Sequence, residues 1–145
     1  MIIKEITHEQ ALEWISKQDL EDTWHTDFKE WKKHLILAAK YWPWVKKFYR
    51  GKNNWLGYYD DWWELQGVYW YTIVDNEMYD GFLISKKHGA GIKLARELVK
   101  ITKGQWRYNW TMCSKEYIKF NNRLGFQGTS YANITPWDEV YLLWR

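Results

Sequence analysis

The stretch KKHGAGIKL at positions 86–94 places a glycine-bearing turn directly before a run of residues with helical spacing. Ile92, Ala95, Leu98 and Val99 recur at helical intervals, which predicts a helix up to about residue 102. Glycine lets backbone N–H groups approach a ligand closely, and a helix N-terminus carries partial positive charge. The segment therefore predicts a cradle for a pyrophosphate group, and a simple turn without a ligand is the alternative.

Three further helices are predicted from capping residues and breakers. Thr7, followed three residues later by Gln10, matches a capping box before a short helix. Asp27 can cap a second helix, in which apolar residues recur at helical spacing: Phe28, Trp31, Leu35, Ala38, Ala39 and Trp42. Pro43 ends this helix, because the residue before a proline avoids the α region. Ser114 can cap the last helix. That helix carries Tyr117, Phe120 and Leu124, and Gly125 ends it.

The remaining segments favour strands. Residues 2–6, 55–59, 68–74, 107–113, 126–131 and 140–144 are extended by pattern, and residues 82–84 are either a short strand or a loop. From about Val45 to Ile84 the pattern is extended, with turns predicted at Asp60-Asp61 and Asp75-Asn76. The order of elements predicts one α+β domain over residues 1–145, with a central, mostly antiparallel sheet flanked by about four helices.

Two motifs in the second half resemble hallmarks of the GNAT (Gcn5-related N-acetyltransferase) superfamily. The first is Gln/Arg-x-x-Gly-x-Gly/Ala, with Lys86 at the Gln/Arg position and Gly89 and Gly91 at the two small positions. The second is a helix that ends in Leu-Gly-Phe, which YIKFNNRLGF at 117–126 resembles. The resemblance extends over residues 68–145 and covers the first half only loosely.

The resemblance implies an N-acetyltransferase that uses acetyl-CoA as donor and an amine on a small molecule or protein as acceptor. The donor would lie in a gap between the strand that precedes Lys86 and the strand at 107–113. That preceding strand is either 68–74 or 78–84. The resemblance implies that the pyrophosphate is held by Lys86, His88, Gly89, Ala90, Gly91 and Ile92.

The resemblance also concerns the acid and the base that acyl transfer to an amine needs. Asn121 stands where many family members have an acidic tyrosine, and an amide is no proton donor of suitable acidity. Tyr117 is a substitute acid candidate, with a core aromatic as the alternative. The base candidates are Asp75, Glu77 and Asp80.

An unusual aromatic content supports a second hypothesis. The chain has 13 Trp and 11 Tyr, which either fill the core or form a surface for a protein partner. Small GNAT-like proteins of tailed bacteriophages, some of them virion components, are similar around WRYNW at 106–110. The second hypothesis is therefore a catalytically inactive structural or interaction protein, with a partner or a second copy on the aromatic surface.

Several other classes are disfavoured by composition. The net charge is only +3 and the lysine pairs are scattered, which argues against a nucleic-acid binder. No run approaches the roughly 18 apolar residues that span a bilayer. Cys113 is the single cysteine and is expected to be a buried small residue, and the four histidines lack ligand spacing, so no metal site is expected. The N-terminus lacks a signal-peptide pattern, so a cytoplasmic location, or a virion for a phage protein, is expected.

Overall fold

The computed structural model describes residues 2–18, 28–86, 90–135 and 138–145. Its strands are β1 (Ile2–Ile6), β2 (Asn54–Tyr59), β3 (Leu65–Val74), β4 (Glu77–Ser85), β5 (Tyr108–Cys113), β6 (Gly128–Thr135) and β7 (Asp138–Trp144). Its helices are α1 (His8–Ser16), α2 (Phe28–Ala38), α3 (Lys46–Tyr49), α4 (Ala90–Thr102) and α5 (Ile118–Arg123). Short 3-10 turns cover Pro43–Val45 and Lys115–Tyr117.

All seven strands form one sheet in the order β1-β2-β3-β4-β5-β7-β6. Every neighbouring pair is antiparallel except β4 and β5, which run parallel. A parallel pair needs a crossover connection, and α4 lies between β4 and β5 in the chain. The predicted α+β class with a central, mostly antiparallel sheet is confirmed.

Successive residues of a strand face opposite sides of the sheet, so the sheet has two distinct cores. On one side α1, α2 and α3 cover an aromatic core, which we define as Phe28, Trp31, Trp55, Trp70 and Phe82. On the other side α4 packs on the strands through Leu94, Leu98 and their neighbours, and we refer to this side as the α4 face. Partly buried residues of the α5 segment also contact the α4 face.

The local prediction for the start of the first helix is confirmed, and local predictions fail in three places. Thr7 and Gln10 form the predicted capping box, with Thr7 Oγ1 accepting from the Gln10 amide at 3.1 Å. The prediction of an extended chain from about Val45 is wrong at its start. Residues 45–49 are helical, because Pro43 suits the first position of a helical turn while Val45 and Phe48 pack into the core. The described residues therefore contain five α-helices, one more than about four.

The other two corrections concern positions of single side chains. Ile92 is not an inward position of α4, since it is 44% exposed and Leu94 is buried instead. Ser114 makes no capping hydrogen bond, because its hydroxyl donates to the Glu116 carboxylate at 2.6 Å. The predicted cap Asp27 lies outside the described residues. None of the helices in the described ranges is both long enough and apolar enough to cross a membrane.

Candidate active site

A gap opens between β4 and β5. The two strands pair in parallel over four positions, from Glu77 with Tyr108 to Asp80 with Thr111. Beyond that last pair β4 continues to Ser85 and β5 to Cys113, without further pairing in the register. The strand before Lys86 is therefore β4, the second of the two alternatives that the sequence left open.

A β-bulge in β4 coincides with the start of the gap. In the pairing of β3 with β4, Trp70 faces Phe82 and Tyr71 faces Asp80, so Gly81 has no partner position. A bulged strand bends away from its regular course, which accounts for the divergence of β4 from β5. Glycine is required at this point, because a Cβ on Gly81 would lie 2.7 Å from the Trp31 ring.

The segment that the sequence predicts to hold a pyrophosphate leads from the end of β4 into α4. Lys86 is exposed, and its backbone N–H donates to the Gln66 carbonyl at 2.8 Å, which fixes where the chain leaves the sheet. His88 and Gly89, two of the predicted pyrophosphate ligands, lie outside the described residues. The part of the loop that is described ends where α4 begins at Ala90.

The first turn of α4 suits an anion. Ala90 is buried, and a Cβ on Gly91 would lie 3.2 Å from the Ser85 hydroxyl, closer than most side-chain contacts. This turn contains no acidic residue, and α4 is 13 residues long, so the backbone N–H groups and the helix dipole are not opposed by a carboxylate of the helix itself. Ile92 is directed toward solvent, and only its backbone amide suits the predicted role.

Two of the base candidates lie away from the gap. Asp75 occupies the tight turn between β3 and β4 with a φ of 52°, and it is exposed. Glu77 is the first residue of β4, and its carboxylate pairs with the Lys47 ammonium group. Both residues precede the last β4–β5 pair, whereas the gap opens after it. The structure does not bring Asp75 and Glu77 to the gap.

The third base candidate, Asp80, lies at the last β4–β5 pair, the point from which the gap opens; we call this point the vertex of the gap. The Tyr69 hydroxyl donates to its Oδ2 at 2.6 Å. Oδ1 is buried and has no hydrogen-bond partner of good geometry within the described residues. Burial raises the pKa of Asp80 from 3.8 to about 6, although Tyr69 and Thr111 favour the ionised form and oppose part of the rise.

The acid candidate lies just beyond β5. Tyr117 ends the 3-10 turn after β5, and its side chain is 54% exposed, so the core alternative is wrong. The buried Asn121 donates from Nδ2 to the Tyr117 carbonyl at 3.0 Å. Cys113 is buried as expected, and burial raises the pKa of its thiol to about 12, so it stays neutral near pH 7.

Sequence reasoning missed a polar cluster on the α4 face. Arg145 Nη2 donates to Thr102 Oγ1 at 3.0 Å, and the guanidinium stacks over the Phe126 ring at 5.1 Å. With its amide oxygen turned toward the guanidinium, Asn109 accepts from Arg145 at 2.8 Å. These residues are distant in the chain and show no spacing pattern, so only the folded sheet brings them together.

No protein-family model matches this sequence, and no curated protein matches it. Solved structures do match. A Corynebacterium glutamicum protein described as histone acetyltransferase HPA2 and related acetyltransferase superposes with a TM-score of 0.67, at 14% identity over 98% of this chain and 93% of that one. Ard1 from Thermoplasma volcanium superposes with a TM-score of 0.63, at 15% identity over 99% and 95% of the two chains.

A Desulfovibrio desulfuricans protein described as an acetyltransferase of the GNAT family gives a TM-score of 0.59, at 16% identity over 99% of this chain and 98% of that one. The chain has the GNAT fold. The agreement covers almost the whole of each chain, including the first half, in which the sequence motifs are weakest. Within the GNAT fold of this chain, the gap between β4 and β5 and the start of α4 lie where the two sequence motifs predict the donor site.

Proposed function

We propose that this protein is an acyl-CoA-dependent N-acetyltransferase, with acetyl-CoA as donor and an amine as acceptor. The observation that carries the proposal is the gap between β4 and β5, which starts at a bulge and leads to the N-terminus of α4. A gap between two parallel strands exposes backbone groups to an extended ligand. A helix N-terminus beside it offers N–H groups to phosphate oxygens.

The donor contributes a reactive thioester, and the chain's residues would position it. Lys86 and the backbone amides of residues 88–92 would hold the pyrophosphate. The unpaired edge of β4 at residues 81–85 would lie along the rest of the donor and present N–H groups to its thioester carbonyl. Such preorganised donors stabilise the oxyanion that forms when an amine attacks a carbonyl. Holding both reactants in one gap would supply the proximity part of the rate enhancement.

The predicted acid and base remain proposals. Tyr117 ends the 3-10 turn that follows β5, and it would give the leaving thiolate its proton. Glu77 and Asp75 would have to act from the closed end of the β4–β5 pair, through water or a substrate group, since neither lies beyond the last pair. Their exposed or half-buried positions are accessible to an incoming amine.

The first test is thermal unfolding with and without acetyl-CoA and CoA. Ligand at about 100 times its dissociation constant should stabilise the folded protein by about 2.7 kcal/mol. Gly91→Glu should abolish this shift, because it adds a Cβ against Ser85 and a negative charge in the first turn of α4. Gln105→Glu adds the same charge just beyond the other end of α4 and should keep the shift. No shift for the unchanged protein at millimolar ligand would refute the proposal.

A second candidate function is an inactive structural protein on the GNAT scaffold, for example a phage virion component. Trp62 and Trp63 favour it, since they are 84% and 65% exposed in the turn between β2 and β3. Exposed tryptophans are typical of contact surfaces. This hypothesis predicts a stable oligomer in light scattering that Trp62→Ala dissociates. A monomer at high concentration would argue against it.

A further inference from the structure

The turn between β2 and β3 exposes two neighbouring tryptophan rings. Trp62 is 84% exposed and Trp63 is 65% exposed, the highest values among the large apolar side chains of the described residues. Single apolar residues are common on protein surfaces, whereas two adjacent large rings form an apolar patch. Tryptophan is also among the residue types most enriched where proteins bind one another. The β2–β3 turn therefore has the features of a contact surface.

Hydrogen bonds hold the β2–β3 turn in one shape. The Asp60 carboxylate accepts from the Trp62 amide at 2.9 Å and from the Glu64 amide at 3.0 Å. Its other oxygen accepts from Gln66 Nε2 at 3.0 Å. The Trp63 amide donates to the Asp60 carbonyl at 3.1 Å, and the φ of Trp63, 61°, lies in the left-handed region that bulky residues rarely enter. Because the backbone that presents the rings is already fixed, binding of a partner costs less ordering free energy.

The charge of the turn favours a positive partner. Residues 60–64 read DDWWE and contain three acidic residues and no basic one, in a chain whose net charge is +3. Asp60 is used inside the turn, while Asp61 and Glu64 are exposed and stand before and after the two tryptophans in the chain. These carboxylates would repel nucleic acid or an anionic membrane, and they attract lysine and arginine side chains.

The aromatic rings of the turn already attract a cation of this chain. The ammonium group of Lys4, on β1, lies 4.8 Å from the centroid of the Tyr59 ring and 5.9 Å from the centroid of the Trp63 ring. Cations are attracted to the faces of aromatic rings, because these faces carry partial negative charge. Trp62 is the more exposed of the two tryptophans, so its ring is open to a cation from another molecule. Rings and carboxylates on one turn therefore favour the same ligand chemistry.

We propose that the β2–β3 turn is a docking site for a basic segment of a protein partner. Trp62 and Trp63 pack against the aliphatic stems of the partner's lysine or arginine side chains, and the carboxylates of Asp61 and Glu64 pair with their charged ends. A small amine cannot cover two rings and meet two carboxylates at once, whereas a peptide with several basic residues can. Docking goes beyond the proposed function, since it needs neither CoA nor catalysis.

The position of the turn connects this docking site with the gap. The Gln66 carbonyl accepts from the Lys86 amide at 2.8 Å, and Gly67 pairs with Ser85 at the end of β4, so the turn that precedes them lies at the end of the sheet where the gap opens. Neighbouring strands are about 4.8 Å apart, which puts the turn and the gap about two strand spacings, roughly 10 Å, from each other. About three extended residues span that distance. The docked partner therefore supplies the acceptor amine, a step that rests on the proposed function.

Binding is tested first without catalysis. A hexa-arginine peptide with an acetylated N-terminus and an amidated C-terminus carries positive charge and no acceptor amine, so its affinity in calorimetry reports docking alone. It should bind, and its affinity should fall as the ionic strength rises, because exposed charges are screened. Trp62→Ala should weaken the binding by about 10-fold or more, and Glu64→Gln should weaken it less and reduce its salt dependence. Equal binding of a hexaglutamate peptide would overturn the inference.

Two matched controls remove a similar group elsewhere on the surface. Tyr41→Ala removes an exposed ring outside the turn, and Glu30→Gln removes an exposed carboxylate on α2. Both variants should bind hexa-arginine as the unchanged protein does. No binding by the unchanged protein, or equal affinity for Trp62→Ala, would overturn the inference. An oligomer in light scattering that Trp62→Ala dissociates would overturn it too, because the rings would then be buried against a second copy.

Nitrogen-15 NMR locates the site in the unchanged protein. The indole N–H signals of Trp62 and Trp63, assigned with Trp62→Phe and Trp63→Phe, should shift when hexa-arginine is added. The signals of the buried Trp31 and Trp70 should stay in place. Shifts confined to tryptophans outside the turn would overturn the inference.

A second set of peptides tests the link to the gap. Each begins with a free lysine, which offers both an α-amine and an ε-amine, followed by a run of serines and then hexa-arginine. Acetylation should be fastest with about three serines, and Trp62→Ala should flatten this dependence through a higher KM. A flat dependence for the unchanged protein would overturn the link. Peptide binding without CoA binding would refute only the proposed function and the link that rests on it, and CoA binding without peptide binding would refute only the docking site.

Discussion

The two faces of the sheet bury different kinds of side chain. Under α1 to α3 the rings of the aromatic core contact one another directly, with centroids 4.8 Å apart for Phe28 and Trp55 and 5.1 Å apart for Trp31 and Trp70. The α4 face instead buries a carboxylate, Asp80, and half-buries the guanidinium of Arg145. Large rings stabilise a fold through the area that they remove from water, whereas a buried carboxylate opposes folding.

The two faces therefore differ in what they contribute. The aromatic core supplies buried apolar area, whereas the ionisable groups lie on the α4 face. The aromatic core extends to the start of the gap, because the Trp31 ring lies against Gly81 at the bulge. The ionisable groups gather on the opposite side of the same strand pair. The aromatic core therefore packs against one side of the strand pair, and the buried carboxylate of Asp80 lies on the other.

The largest expected effect is on the aromatic face. Trp31→Ala should destabilise the protein by about 3–5 kcal/mol, because it leaves a cavity at the centre of the aromatic core. Trp62→Ala is the control on an exposed ring of the same type, and it should change stability by about 0.5 kcal/mol or less. Chemical denaturation measures both. Similar losses for the two variants would contradict the assignment of stability to this face.

The second effect belongs to the α4 face and depends on pH. The folded pKa of Asp80, about 6, lies above its value of 3.8 in the unfolded chain, so folding binds the proton more tightly. The protonated residue therefore favours the fold below pH 4, and this contribution is lost as pH rises through 6. At 1.36 kcal/mol per pKa unit the loss is about 3 kcal/mol.

Asp80→Asn removes this dependence and isolates it. The stability of the variant minus that of the unchanged protein should rise by about 3 kcal/mol between pH 4 and pH 7.5, because all other titrations are common to both. Urea unfolding at several pH values gives the difference. A difference that stays constant over this range would mean that Asp80 titrates as it does in the unfolded chain, and the contrast between the two faces would be lost.

Sequence patterns predicted the helices over the aromatic core unequally. The helical spacing of Phe28, Trp31, Leu35 and Ala38 identified one face of α2 correctly, since apolar periodicity reports burial directly. Residues 45–49 were wrongly predicted to be extended, because a short stretch of apolar and aromatic residues fits a short helix as well as a strand when it packs into a core.

The candidate site was predictable only where it is local. The glycine-bearing stretch before α4 is a contiguous motif, and the helix predicted after it is present from Ala90, although the sequence left open which strand precedes it. The vertex is not local, since Tyr69, Asp80 and Arg145 come from three separate parts of the chain. From sequence alone, Asp80, Asp75 and Glu77 were equal candidates for the base. Only the register of β3, β4 and β5 separates the three, because it puts Asp80 alone at the last pair.

The smallest effect compares a helix start on each face. Thr7 accepts from the Gln10 amide at 3.1 Å, and Gln10 returns the bond to Thr7, so α1 begins with a complete capping box over the aromatic core. Ser114 occupies the capping position of the 3-10 turn that leads into α5, but its hydroxyl bonds to Glu116 instead. Thr7→Ala should therefore cost about 1 kcal/mol, and Ser114→Ala should cost less than half of that.

Thermal unfolding of the two variants checks this comparison, since both remove one hydroxyl from a helix start of the same protein. The expected order follows from the hydrogen bonds and not from residue type, because serine is as good a cap as threonine in general. An equal or larger loss for Ser114→Ala would mean that the segment before α5 is held by its hydroxyl after all. The α4 face would then contribute to stability through the very segment that borders the gap.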